Sequence, residues 1–170
     1  QTSPLEGYTS HGYDTTNGYD SYNDSTSGSP WPITTWPISF ETIAKVNNTT
    51  ADSSPMSLAN IGTYPLPFMG FRFRGDSTDQ IQLSVIGATG TESAPISGSS
   101  KYIANEWKYL AGSRTDNTGT SKLYIDDDTV LSNTATITAG SFRSIGLGLP
   151  IRSTLSNGLT GNVATGIVSN

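Results

Sequence analysis

Cysteine is absent from the 170 residues. That excludes disulfides, thiolate metal centres and cysteine nucleophiles, and it points toward bacterial, viral or cytosolic assembly rather than an oxidising secretory route. Histidine occurs once, as His11, in a Gly-Tyr-rich stretch. Zinc centres and serine–histidine hydrolases therefore lack their ligands and bases. Charge is scarce as well. Asp, Glu, Lys and Arg make up 14% of the chain, against about 25% in an average domain. The net charge is −5, and no basic stripe interleaved with aromatics offsets it. A phosphate backbone would be repelled, which argues against nucleic acid as a partner. No apolar run approaches the ~18 residues of a membrane span, which argues against a membrane as well. The N-terminus shows neither the basic end nor the apolar run of a signal peptide. The first residue is Gln1 rather than Met, which reads as a processed chain or part of a longer product.

What remains is rich in Ser, Thr, Gly and Asn and poor in Glu, Lys and Leu. Turn formers and β-branched residues dominate, and no stretch keeps apolar residues at a helical period. The length suits one domain that buries roughly 70% of its unfolded surface and folds without staples. Residues 1–30 repeat Gly-Tyr at 7–8, 12–13 and 18–19 and read as an arm or a first strand. Composition leaves open whether this arm docks on a partner subunit or packs on its own domain. From residue 31 to 170 the period becomes two. In "ISFETIAK", Ile38, Phe40, Thr42 and Ala44 oppose Ser39, Glu41, Ile43 and Lys45, and Pro32 and Pro37 hold the start of the strand near Ile38. "FMGFRFRG" puts Met69, Phe71 and Phe73 on one face and Arg72 and Arg74 on the other. "QIQLSVIG" returns with Ile81, Leu83 and Val85 inward and Gln80, Gln82 and Ser84 outward. The Arg74-Gly75-Asp76 string between them reads as a hairpin turn rather than an adhesion signal. "EWKYLAGSR" is expected to point Trp107, Tyr109 and Ala111 one way. "SKLYIDDD" follows with Leu123 and Ile125 on one face. "MSLANIG", "ATITAGSF" and "SIGLGL" read as short strands, and the last segment offers Leu159, Val163 and Ile167 to a core. Such spacing predicts an all-β antiparallel sandwich or barrel. Its expected core is Phe40, Phe71, Phe73, Leu83, Trp107, Leu123, Ile125 and Phe142.

Four segments, in the right order, resemble the laminin-G-like group of the concanavalin A-like jelly-roll superfamily, in the form often found on bacteriophage virion proteins. They are "NGYDSYNDS", "PISFETIAKV", the hairpin "NEWKYLAGSRTDNTGTSKLYIDDD" and "FRSIGLGLPIRSTLSNGLTGNV". The resemblance runs from about Gly18 to Asn170. It departs at the hairpin's end, where Asp126-Asp127-Asp128 stands in place of the usual Asp-Gly. It implies two six- or seven-stranded antiparallel sheets packed face to face, and no single activity, since members bind glycans, proteins or calcium, or serve as bulk.

The chemistry is sparse. Glycoside hydrolysis needs two carboxylates about 5–10 Å apart, and Glu6, Glu41, Glu92 and Glu106 each lack an acidic partner two residues away. Glu41 and Glu106 read as solvent-facing strand residues. "GLGLP" lacks the Lys and helix of a phosphate loop. Asp126, Asp127 and Asp128 are candidate calcium ligands, although consecutive strand residues face opposite ways unless the chain turns there. Trp31, Trp36, Tyr64 and Tyr102 are candidate stacking platforms for a glycan, with packing as the competing role of each. Asn47 and Asn48 begin Asn-x-Thr triplets in a polar loop. The leading expectation is a non-catalytic module of a bacteriophage virion surface, a capsid decoration or fibre component. It would dock on neighbouring virion subunits as a homo-oligomer and bind surface glycans. The alternative is a secreted, lectin-like carbohydrate-binding domain with or without calcium. A polysaccharide hydrolase ranks third.

Overall fold

The computed structural model describes residues 13–14, 20–23, 36–47, 53–59, 68–74, 80–86, 92–116, 118–126, 129–134, 144–147 and 161–169. They form twelve strands and, among the described residues, no helix: β1 (Tyr13–Asp14), β2 (Asp20–Asn23), β3 (Ile38–Val46), β4 (Met56–Ala59), β5 (Phe68–Phe73), β6 (Gln80–Ile86), β7 (Glu92–Lys101), β8 (Lys108–Arg114), β9 (Thr120–Ile125), β10 (Thr129–Thr134), β11 (Ser144–Leu147) and β12 (Gly161–Ser169). Two six-stranded sheets result, in the orders β1-β12-β3-β8-β9-β10 and β2-β11-β4-β5-β6-β7. All pairings are antiparallel. This is an antiparallel sandwich, one of the two forms expected from the period-two segments, with the two six-stranded sheets that the resemblance implies.

The period-two strands explain the core. Along β3, Ile38, Phe40, Thr42, Ala44 and Val46 are buried while the residues between them are partly or fully exposed. On the second sheet, Met69, Phe71 and Phe73 of β5 and Ile81, Leu83 and Val85 of β6 are buried. Phe40 of the first sheet meets Phe71 of the second at 4.5 Å between ring centroids. That contact joins the two layers and gathers Leu58, Met69, Leu110, Leu123 and Val163 into one apolar cluster. Gln82 and Ser84, expected outward, are buried too, so the opposite face of β6 is closed to solvent as well.

The strands that flank the Arg-Gly-Asp string pair as a hairpin. β5 and β6 pair from Phe68↔Ile86 to Phe73↔Ile81, and the Arg74 N–H donates to the Gln80 carbonyl at 2.8 Å. Gly75 and Asp76 lie outside the described residues. Phe142, Leu159 and the strand expected at 135–142 also fall outside them.

Two strands present faces other than those expected. In β8, Leu110, Gly112 and Arg114 point inward and Tyr109, Ala111 and Ser113 outward. Pairing decides this, because β8 joins β9 as Leu110↔Ile125 and Gly112↔Leu123, and directly opposed residues share a face. Arg114 is fully buried at the inward end of the strand, its guanidinium 5.8 Å from the Trp36 ring and donating from Nη1 to Ser121 Oγ at 2.7 Å. Burial lowers its pKa, and Asp116 partly opposes that. Trp107 is half-buried rather than in the core, and Lys45 Nζ lies 5.3 Å from its ring. In β12, Val163 opposes Ala44 but Thr165 opposes Ile43, so one extra residue bulges between them. The bulge switches the phase. Val163 before it and Val168 after it pack toward the core, and Ile167 is 47% exposed rather than buried.

Candidate functional site

The described outward face of the first sheet carries a groove of about 280 Å³. Its lining is Ser39, Phe40, Glu41, Ala111, Gly112, Ser113, Tyr124 and Ile167. Register builds it. Ile167 of β12 opposes Glu41 of β3, Glu41 opposes Ala111 of β8, and Ala111 opposes Tyr124 of β9. The four side chains form one row across four strands, a span of about 14 Å at ~4.8 Å per strand. The row is low in the middle because Ala111 is small and high at its ends because Ile167 and Tyr124 are large. Next to it Ser39 opposes Ser113, which adds two hydroxyls and little bulk.

Tyr109 stands diagonally from Glu41, on the same face of β8 as Ala111 and opposite Ile43. Its ring is 38% exposed and its hydroxyl donates to Glu41 Oε2. This hydrogen bond, then burial, then the carboxylate's charge push the Tyr109 pKa from 10.0 up to about 12. At neutral pH the hydroxyl stays protonated and fixes the carboxylate in place. Tyr109 itself is held by the end of the hairpin. Asp126 sits in the left-handed region at φ 50°; its N–H donates to the Tyr109 carbonyl at 2.8 Å, and its Oδ1 accepts the Tyr109 N–H at 3.0 Å. Asp126 Oδ2 meets Lys108 Nζ at 2.8 Å.

The residues singled out from sequence fall elsewhere. Tyr102 is corrected from a stacking platform to a core residue. It is 3% exposed, its ring meets Phe73 edge-on at 4.9 Å, and its hydroxyl donates to the Arg74 carbonyl at 2.9 Å. Trp36 is half-buried against the core and Arg114. Trp31, Tyr64, Asp127 and Asp128 lie outside the described residues. Asp126 does turn, with both carboxylate oxygens engaged as above. Among the described residues no three His, Asp or Glu side chains gather as a metal cluster. Glu106 is absent from the groove lining and faces Lys108 at 3.9 Å. The groove's own Tyr124, Ser39 and Ile167, and Tyr109 bonded to its Glu41, were not singled out as site residues. The signal was available for Tyr124, which alternation with inward Leu123 and Ile125 turns outward, whereas the facing of Tyr109 depends on the β8–β9 register.

No protein-family model matches the chain, and no curated protein matches it in sequence. Solved structures match its fold. A heptameric SAP-like pentraxin from Limulus polyphemus aligns at TM-score 0.58 and 12% identity, over 88% of this chain and 75% of that one. The CBM40 of a Ruminococcus gnavus IT-sialidase, bound to α2,3-sialyllactose, aligns at TM-score 0.62 and 11% identity, over 78% and 74%. Domains LG4-5 of the mouse laminin α1 chain align at TM-score 0.63 and 9% identity, over 91% and 40%. The chain thus has a laminin-G-like, concanavalin A-like jelly-roll fold.

Proposed function

We propose that the chain is a non-catalytic, lectin-like module that binds a saccharide in the groove of the first sheet. The observation that carries this reading is the row Ile167–Glu41–Ala111–Tyr124. A sugar ring has an apolar C–H face and a rim of hydroxyls. Tyr124 and Ile167 offer apolar surface for the first, and Glu41, Ser39 and Ser113 offer acceptors and donors for the second. The carboxylate is pre-positioned by Tyr109, so little ordering is left for the ligand to drive. The sialyllactose-bound CBM40 among the similar structures supports a saccharide as ligand for this architecture.

Hydrolysis ranks behind binding. It needs a second carboxylate about 5–10 Å from the first, and Glu41 is the sole carboxylate among the described lining residues. The expected place on a bacteriophage particle also ranks behind it, because the groove and the lectin-like relatives support a binding module on or off a particle.

The test is a broad panel of immobilised oligosaccharides probed with the full chain and with Tyr124→Ala. Tyr124 faces outward, so the variant keeps the fold. The expected result is binding to at least one class, weakened about tenfold or more by Tyr124→Ala, as for an aromatic anchor at an interface. Absence of binding across the panel, or binding indifferent to Tyr124, overturns the proposal.

A further inference from the structure

We infer that the groove selects uncharged saccharides and rejects acidic ones, with Glu41 as the specificity-determining residue; this rests on the saccharide-binding reading above. Of the described residues that line the groove, Glu41 alone carries a charge. It lies in the middle of the face, between Ile167 on one strand and Ala111 on the other, so a ligand seated over Ala111 cannot avoid it. Tyr109, its hydrogen-bond donor, brings no compensating charge.

The described lysines of these strands stand outside the lining. Lys45 lies over the Trp107 ring. Lys108 opposes the buried Ala44, on the other face of the sheet, and is engaged by Asp126 and Glu106. Lys122 shares the groove's face and borders it, opposite Ser113 and two residues from Tyr124, but it lies outside the lining and two strands from Glu41. A carboxylated or sulfated sugar seated over Ala111 therefore meets a like charge at short range with no cation among the described lining residues, and such juxtaposition is the usual device by which a binding surface excludes a wrong partner. A neutral sugar instead donates hydroxyls to the carboxylate, which makes charge-assisted hydrogen bonds. The chain's net charge of −5 works in the same direction at longer range. The contrast with the sialyllactose-bound CBM40 is one of ligand on a shared fold.

The experiment measures binding of the full chain to matched neutral and acidic oligosaccharides that differ by one sialic or uronic acid, with wild type and Glu41→Gln. Gln keeps the shape and can still accept from the Tyr109 hydroxyl. Wild type is expected to prefer the neutral member by about tenfold or more. Glu41→Gln is expected to weaken neutral binding and to shrink the preference severalfold. Because a fold defect in the variant could mimic the first effect, wild type is also titrated with salt. Raising ionic strength from about 0.05 M to about 0.5 M is expected to shrink the same preference by screening. Equal or better binding of the acidic member by wild type overturns the inference and leaves saccharide binding standing, as does a preference unmoved by both Glu41→Gln and salt. Failure to bind any saccharide overturns the underlying reading as well.

Discussion

Tyr109 and Glu41 are 68 residues apart in the chain and bonded in the fold. The bond makes a measurable signature. One tyrosine should lose its proton near pH 12 in an absorbance titration, and Glu41→Gln should bring that value back toward 10.0. The folded state holds this proton more tightly than the unfolded chain does. Its contribution to stability is therefore whole below pH 10 and disappears as pH rises from about 10 to about 12. A titration with no tyrosine above the ordinary range would refute the pairing. Gly161 makes a second residue-scale case. A Cβ there would lie 2.0 Å from the Lys45 carbonyl oxygen and 2.9 Å from the Val46 Cα, both backbone and unable to turn aside. Gly161→Ala is expected to push β12 off β3 and cost about 1–3 kcal/mol in a denaturant titration. Single residues also mark where sequence reading misassigned roles. Tyr102 and Tyr109 are the same amino acid a few positions apart, yet one is core and the other holds Glu41 on the outward face. Nothing local distinguishes them, since a tyrosine suits either setting.

The hairpin β8–β9 shows what an element adds. Its strands and turn were legible in "EWKYLAGSR" and "SKLYIDDD", and so was the inward pair Leu123 and Ile125. The facing of β8 was not, because both of its faces carry apolar residues and the inward set ends in Arg114. Alternation is decisive only where one set is plainly polar. β12 failed for another reason: a bulge changes phase mid-strand and leaves no sequence mark of its own. β7, for which sequence reading offered no assignment, carries Pro95 at the sheet edge, where a strand tolerates proline. The turn after β9 yields a prediction at this scale. Asp126 clasps the start of β8 through Lys108 and the Tyr109 N–H from a left-handed backbone position. Asp126→Ala is expected to cost about 1–2 kcal/mol, whereas Asp126→Gly relieves the backbone and loses the clasp alone. A calcium ion at this turn would have to displace Lys108, so chelation is expected to leave the thermal midpoint unchanged. A chelator-induced drop would show that Asp126 serves a metal.

At the scale of the whole molecule, the two sheets depend on contacts that neither makes alone. Phe40 and Phe71 are each buried in a different sheet and meet at the centre. Phe40→Ala and Phe71→Ala should each cost about 3–5 kcal/mol, and the double variant should show a coupling of about 0.5–1.5 kcal/mol. Simple additivity in that cycle would mean that the rings do not share the interface. Gly112 belongs to the same centre, since a Cβ there would stand 2.9 Å from the Phe40 ring. The small residue is what lets the Phe40 ring settle beneath β8.

Sequence by itself determined the class of fold, the core-facing residues of β3, β5, β6 and β9, and the hairpin around Arg74. These depend on period-two alternation and turn chemistry, which act between residues a few positions apart. Only the tertiary structure decided the candidate site. The groove exists because β12, β3, β8 and β9 lie side by side in a fixed register that puts Ile167, Glu41, Ala111 and Tyr124 in one row. That register is set by long-range strand pairing and one bulge, and a shift of a single residue would turn every one of these side chains to the other face.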